Sequence, residues 1–178
     1  AQSVREADRF GITATGPGSR SEDVYGRVRG IIGAIQPQDS EERFEGLGVK
    51  VIKAAGKFVG RQEVKADGVF IKARRVVVST GSTVFVSPIP GLDKVPYLTN
   101  ETIFNCDKLP QHLIVIGGGP VGLELAQAHR DLGCEVTVLE MFSIMPKDDA
   151  ELVDVIRQQV LRDGMDVRER VKINRVEP

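Results

Sequence analysis

Residues 112–140, HLIVIGGGPVGLELAQAHRDLGCEVTVLE, read as a strand, a glycine turn, a helix and a second strand. Residues 113–116 are four apolar residues, three of them β-branched, the composition of a strand buried on both faces of a parallel sheet. Gly117, Gly119 and Gly122 have the spacing G-x-G-x-x-G. The first glycine permits a tight turn, the second lets backbone approach a pyrophosphate, and the third lets the helix pack closely on the strand. Pro120 falls in the first helical turn, where its missing N–H costs nothing. Val121, Leu125, Ala128 and Leu132 recur at helical spacing and predict the face that covers the sheet. Gly133 ends the helix, and residues 135–139 alternate into the second strand.

Glu140 stands at the end of that strand, 18 residues beyond Gly122. A carboxylate there can accept hydrogen bonds from the ribose hydroxyls of an adenine nucleotide. It would repel a 2′-phosphate, and the following MFSIMP has no arginine to receive one. NAD(H) rather than NADP(H) is therefore expected. G-x-G-x-x-G alone is a turn that any α/β protein can use. The strand before it, the helix after it and the acid beyond supply the context that the motif demands.

The totals exclude several classes. With 24 basic and 25 acidic residues the chain is near neutral, so neither nucleic acid nor an anionic membrane is expected as a partner. The opening AQSVREADRF has no apolar core of the kind a signal peptide carries. The longest uncharged run, 76–92, is broken by serine, threonine, glycine and two prolines, so no membrane span is expected. Cys106 and Cys134 are too far apart in sequence for a redox pair or a metal site; no metal site is expected, and Cys134 reads as a small packed residue. A reducing, cytosol-like compartment is the default.

Outward from the central stretch the chain is punctuated clearly. Residues 1–12 read as the tail of a helix, followed by polar, glycine-rich sequence to Ser19. Ser19 and Glu22 have capping-box spacing, and Val24, Val28, Ile31 and Ile35 mark a helix face that Pro37 terminates. Gly26, Gly30 and Gly33 form a second face of that helix, each costing about 1 kcal/mol against alanine. Either another backbone or a ligand approaches there, or the helix is a weak one held by tertiary packing. From Gly48 the pattern becomes strand-like: VKVIK, KFV, EVKA, VFIKA and RRVVVST, with Asp67-Gly68 as a type I′ hairpin turn. The expectation is an antiparallel meander feeding a buried strand at 76–79. Residues 105–111, NCDKLPQ, read as a linker. Beyond Glu140, Asp148 or Asp149 can cap a helix with Leu152, Ile156 and Val160 on one face, ending at Gly164. Val167, Val171 and Ile173 suggest a third strand or a hairpin.

From about Ser21 onward the chain resembles the FAD-dependent pyridine nucleotide-disulfide oxidoreductase family, most closely its dihydrolipoamide dehydrogenase branch. The carriers are AAGKFVGRQEV with its hairpin, STGS before PIPG, and IGGGPVGLE leading to VTVLE, in that order. The resemblance implies an α/β fold: parts of two Rossmann-like dinucleotide-binding domains, three-layered, with the antiparallel meander in the first. Residues 1–108 would be the central part of the FAD-binding domain and 109–178 the front half of the NAD-binding domain. It implies FAD beside Gly56 and beside Thr80, Gly81 and Ser82. It also implies the NAD pyrophosphate along Gly117, Gly118, Gly119, Pro120, Val121, Gly122, Leu123 and Glu124, with Glu124 reaching toward the nicotinamide and Glu140 holding the ribose. Ile173, or Val171 in another register, would meet the adenine.

The family's first glycine motif and its C-x-x-x-x-C disulfide would precede Ala1, and its His-Glu pair and dimerisation domain would follow Pro178. No catalytic residue is therefore expected here; His112 and His129 read as solvated or packed. The parent would be a homodimer of the cytoplasm or an organelle matrix, passing hydride between NAD(H), FAD and a lipoyl-type or small-molecule disulfide, and this chain alone is expected to be inactive. Mercuric reductase, soluble transhydrogenase and a non-catalytic NAD-binding module are the alternatives. A short-chain dehydrogenase is not, since neither Tyr25 nor Tyr97 begins Y-x-x-x-K.

Overall fold

The computed structural model describes residues 2–5, 7–13 and 21–178. In chain order its elements are α1 (Gln2–Arg5), α2 (Ser21–Ile35), α3 (Glu41–Gly46), β1 (Lys57–Gly60), β2 (Glu63–Ala66), β3 (Val69–Lys72), β4 (His112–Ile116), α4 (Pro120–Asp131), β5 (Glu135–Leu139), α5 (Ala150–Arg162) and β6 (Asp166–Arg168). The chain separates into two compact units, one of residues 30–83 and one of the remainder. No helix among the described residues is long and apolar enough to cross a membrane. Ser19, half of the expected capping box, lies outside the described residues.

The larger unit is built on a parallel sheet of order β4-β5-β6, with α4 and α5 as the connections. Leu113, Val115, Val136 and Val138 share one face by the pleat and pack with Leu123 and Ala126 of α4 and Val153 and Val160 of α5. Val138 and Ile144 are almost wholly enclosed there, each side chain worth about 1.5–3 kcal/mol of transfer free energy. The opposite face is uncovered beneath β4, where Ile114 keeps 57% of its surface. The expectation that β4 is buried on both faces therefore fails. β5, flanked on both sides, is the strand whose centre is enclosed.

Helix faces also depart from the apolar spacing. In α4 the buried residues are Leu123, Ala126 and His129, whereas Val121 and Ala128 are exposed. In α5 Val153 replaces Leu152, which is 65% exposed. The close approach at Gly122 sets the first of these faces, because it turns the residues one, four and seven positions on toward the strand. The ends of both helices follow local chemistry. Asp149 caps α5 by accepting the Glu151 N–H at 3.0 Å. Gly133 and Gly164, both at positive φ, close Schellman motifs after α4 and α5: Cys134 N–H bonds the His129 carbonyl and Met165 N–H the Val160 carbonyl.

β6 is the third strand, and Val171 and Ile173 lie beyond it in irregular chain. Val171 N–H still donates to the Glu140 carbonyl, and Val176 N–H to that of Pro90. A Cβ on Gly91 would collide with the Val176 carbonyl, so this crossing needs glycine.

α2 forms over the expected span but is mostly exposed, with Tyr25 its buried residue. Among the described residues no atom lies within 4 Å of a Cβ built on Gly26, Gly30 or Gly33, so none of them uses that close-approach surface.

In the smaller unit β1, β2 and β3 form the antiparallel meander, joined by Asp67 and Gly68 at φ 47° and 75°, the left-handed pair a type I′ turn requires. VKVIK and RRVVVST, read as strands, form none; Val77 is 87% exposed. Their β-propensity has no partner strand among the described residues, and a strand without a ladder is not stable.

His129 ties α4 to α2. Its Nδ1 lies 2.7 Å from the Leu125 carbonyl, which can only accept, so the neutral ring carries its hydrogen on Nδ1 and Nε2 accepts from the Tyr25 hydroxyl at 3.2 Å. Burial raises the Tyr25 pKa, which keeps the phenol protonated as the donor. Tyr25→Phe leaves a buried Nε2 unpaired and should cost about 1–3 kcal/mol in urea unfolding. The cost should largely vanish in a His129→Leu background; an equal cost in both backgrounds contradicts the bond.

Candidate dinucleotide-binding site

The glycine turn at the end of β4 is shaped by what its neighbours forbid. Gly117 has φ 112°, open only to glycine, and its N–H extends the ladder to the Leu139 carbonyl at 2.9 Å. At Gly118 a Cβ would lie 2.8 Å from Ile144 Cγ2 and 3.2 Å from Glu140 Cβ. At Gly122 it would collide with the Gly117 carbonyl oxygen. Gly119 faces open space instead: nothing lies within 4 Å of its added Cβ. Of the three motif glycines, Gly117 thus serves backbone conformation, Gly122 packing and Gly119 open room, while Gly118 between them is a further packing glycine.

Gly119 is the N-cap of α4 and Pro120 its first residue; the cap has no side-chain hydrogen bond and the first turn has no acid. The first bond of the helix runs from Leu123 N–H to the Gly119 carbonyl. Among the described residues nothing accepts from the N–H groups of Gly119, Val121 and Gly122. Three donors at the positive end of a helix dipole, over a residue without a side chain, fit a phosphate group. Leu123 is buried behind them and anchors the turn. Glu124 lies just past the first turn and is exposed.

Glu140 closes the other side. One carboxylate oxygen accepts the Gly118 N–H at 2.7 Å and the other the Phe142 N–H at 2.8 Å. A carboxylate offers about four lone-pair sites, so acceptor capacity remains for two hydroxyls. The loop after it is clamped in turn: Glu169 accepts the Ile144 N–H at 2.8 Å and takes Arg157 bidentately at 3.0 Å on both oxygens, while Arg157 also pairs with Asp154. The Arg157 hydrogen bonds hold the Glu169 carboxyl below its usual range. Ile144, so fixed, is the wall that requires glycine at 118. Sequence reading missed Glu169 and Arg157 because no local pattern joins them to the turn.

The residues expected beside FAD, Gly56, Thr80, Gly81 and Ser82, belong to the smaller unit. Gly56 packs its α-carbon near Val64, where an added Cβ would sit 3.3 Å from Cγ1. Thr80, Gly81 and Ser82 are exposed in irregular chain, with Gly81 at φ 68°. An open depression in the same unit is lined by residues that include Ile32, Ile35, Asp39, Glu41 and Lys53 and contains none of them. Ile173 is half-buried. Cys134 is buried and desolvation raises its thiol pKa, in keeping with a packed rather than reactive residue. His112 is exposed at the entrance of β4, its Nε2 2.9 Å from the Thr137 hydroxyl.

Glu169 titrates the clamp. Its folded pKa is depressed, so its contribution is complete above the unfolded value near 4.5 and is lost as pH falls through the folded value. Urea unfolding between about pH 3 and pH 6 should show Glu169→Gln less stable than the parent chain at the upper end and converging with it at the lower. A gap independent of pH contradicts the clamp.

Comparison with known proteins agrees with the fold. Over 131 residues the chain is 35% identical to a mercuric reductase of Bacillus cereus, covering 73% of this chain and 21% of that protein. Over 135 residues it is 29% identical to a dihydrolipoyl dehydrogenase of Acholeplasma laidlawii, covering 73% and 40%. The HOCl-induced flavoprotein disulfide reductase RclA of Escherichia coli, solved as its Cu(II) complex, superposes with a TM-score of 0.75 at 23% identity, over 97% of this chain and 38% of that one. The chain thus spans between about a fifth and two fifths of the proteins it matches. Residues 14–178 match the family described as pyridine nucleotide-disulphide oxidoreductase, and the chain belongs to that family.

Proposed function

We propose that this chain is the middle of an NAD-dependent flavoprotein of the dihydrolipoamide dehydrogenase type, with residues 109–178 as the front of its NAD domain and 1–108 as the centre of its FAD domain. The observation that carries the reading is the glycine turn: three unpaired N–H groups at a helix start beside a carboxylate fixed by the Gly118 N–H. Bound NAD and FAD supply the hydride chemistry in such a protein. The residues present here hold and orient. Gly119, Val121 and Gly122 would donate to the pyrophosphate, Glu140 would accept from the ribose hydroxyls, and Glu124 would face the nicotinamide side. Ile173 or Val171 would meet the adenine; Gly56 and residues 80–82 would lie against FAD.

Dithiol chemistry needs a reactive cysteine pair; Cys106 and Cys134 are both free here, and burial raises the Cys134 thiol pKa. The chain alone therefore turns over neither lipoamide nor glutathione. In the parent, a homodimer of the cytoplasm or an organelle matrix, a lipoyl-type or small-molecule disulfide would be the partner of NAD. A second reading, mercuric reductase, is favoured by the 35% identical relative, and activity of the parent on mercuric ion against lipoamide separates the two.

The cofactor choice is tested on this chain by fluorescence titration with NADH and NADPH. NADH should bind more tightly. Glu140→Arg should weaken NADH by about tenfold, the worth of one charge-assisted contact, and narrow or invert the preference. Unchanged NADH affinity in that variant contradicts the assignment of Glu140.

A further inference from the structure

Charge along this near-neutral chain is segregated. Residues 50–75 hold eight lysines and arginines against two acids, leaving 16 basic and 23 acidic residues elsewhere. The meander concentrates this charge on one side. Register places Lys57 opposite Lys65, Lys65 opposite Phe70, and Glu63 opposite Lys72, so by the pleat these side chains share a face, while Phe58, Val64, Ala66, Val69 and Ile71 take the other. Lys57, Lys65, Phe70 and Lys72 are all exposed. Arg61 lies between β1 and β2, and Arg74 and Arg75 follow β3. Among the described residues none of Lys57, Arg61, Lys65, Lys72, Arg74 or Arg75 has a carboxylate within ion-pair distance.

A solvated strand face ordinarily mixes charges, because like charges directly opposite weaken a ladder. Here Lys57 and Lys65 oppose each other directly, and Glu63, opposite Lys72, is the acid this strand face carries against three lysines. Lys65 is moreover held over the Phe70 ring, its Nζ 5.2 Å from the centroid, which fixes that ammonium above the sheet.

We propose that this face is a docking surface for an acidic polypeptide segment, its carboxylates meeting Lys57, Lys65 and Lys72. Size and charge favour a peptide over nucleic acid. Three four-residue strands make a patch of about 13 by 10 Å, enough for a few residues of extended chain. A long polyanion would carry most of its charge beyond a patch of this size, whereas an extended acidic segment of a few residues places its alternate carboxylates within it.

The test uses the full chain and a labelled peptide with glutamate at alternate positions, read by fluorescence anisotropy at low salt. K57Q/K65Q/K72Q should weaken binding at least about tenfold, and salt should weaken the unsubstituted chain's binding. K94Q/K108Q/K172Q, an equal charge change at exposed sites elsewhere, should leave it intact. Circular dichroism verifies that both variants fold; should the first not fold, the single variants K57Q and K72Q replace it. Equal loss in both triple variants, no loss in the first, no binding at low salt, or a DNA duplex binding as tightly as the peptide would each overturn the proposal.

Discussion

The close approach of two chain segments at residues 117–122 constrains everything around it. A Cβ at 122 would collide with the Gly117 carbonyl, and Gly117 itself has φ 112°, so α4 can leave β4 at this angle only with glycine at both positions. That angle selects Leu123, Ala126 and His129 as the inward face. It also leaves the N–H groups of Gly119, Val121 and Gly122 without an acceptor among the described residues, while those of Gly117 and Gly118 are bonded. Packing and anion-binding capacity are consequences of one geometry.

The second layer holds the turn still. Ile144 fills the space over Gly118, and its own N–H is fixed by Glu169, which Arg157 in turn anchors to α5. Strand β6 and the residues after it extend this support: Glu140 N–H bonds the Arg168 carbonyl, and Arg170 N–H that of Phe142. Glu140 is thus held through its backbone by one neighbour and through its carboxylate by the glycine turn. An acceptor preorganised in this way loses little freedom when hydroxyls arrive.

Much of this was legible in the sequence where local chemistry decides. The glycines, Pro120, the Asp67-Gly68 turn, the Asp149 cap and the helix stops at Gly133 and Gly164 each follow from backbone angles or a single hydrogen bond. Faces were not legible. Val121 and Leu152 are as apolar as their buried neighbours, and only the placement of the strand decides which turns inward. Residues 76–79 show the same limit: β-branched side chains favour extension, but a ladder needs a partner. Glu169 and Arg157 meet the turn across more than twenty residues of sequence, and no spacing rule reaches that far.

Amide hydrogen exchange with and without NADH tests the central claim most directly, because it reads the N–H groups on which the site rests. Slowing at Gly119, Val121 and Gly122, extending to the loop 141–145, is the predicted result. NADH binding that protects other segments and leaves these amides unchanged would contradict it.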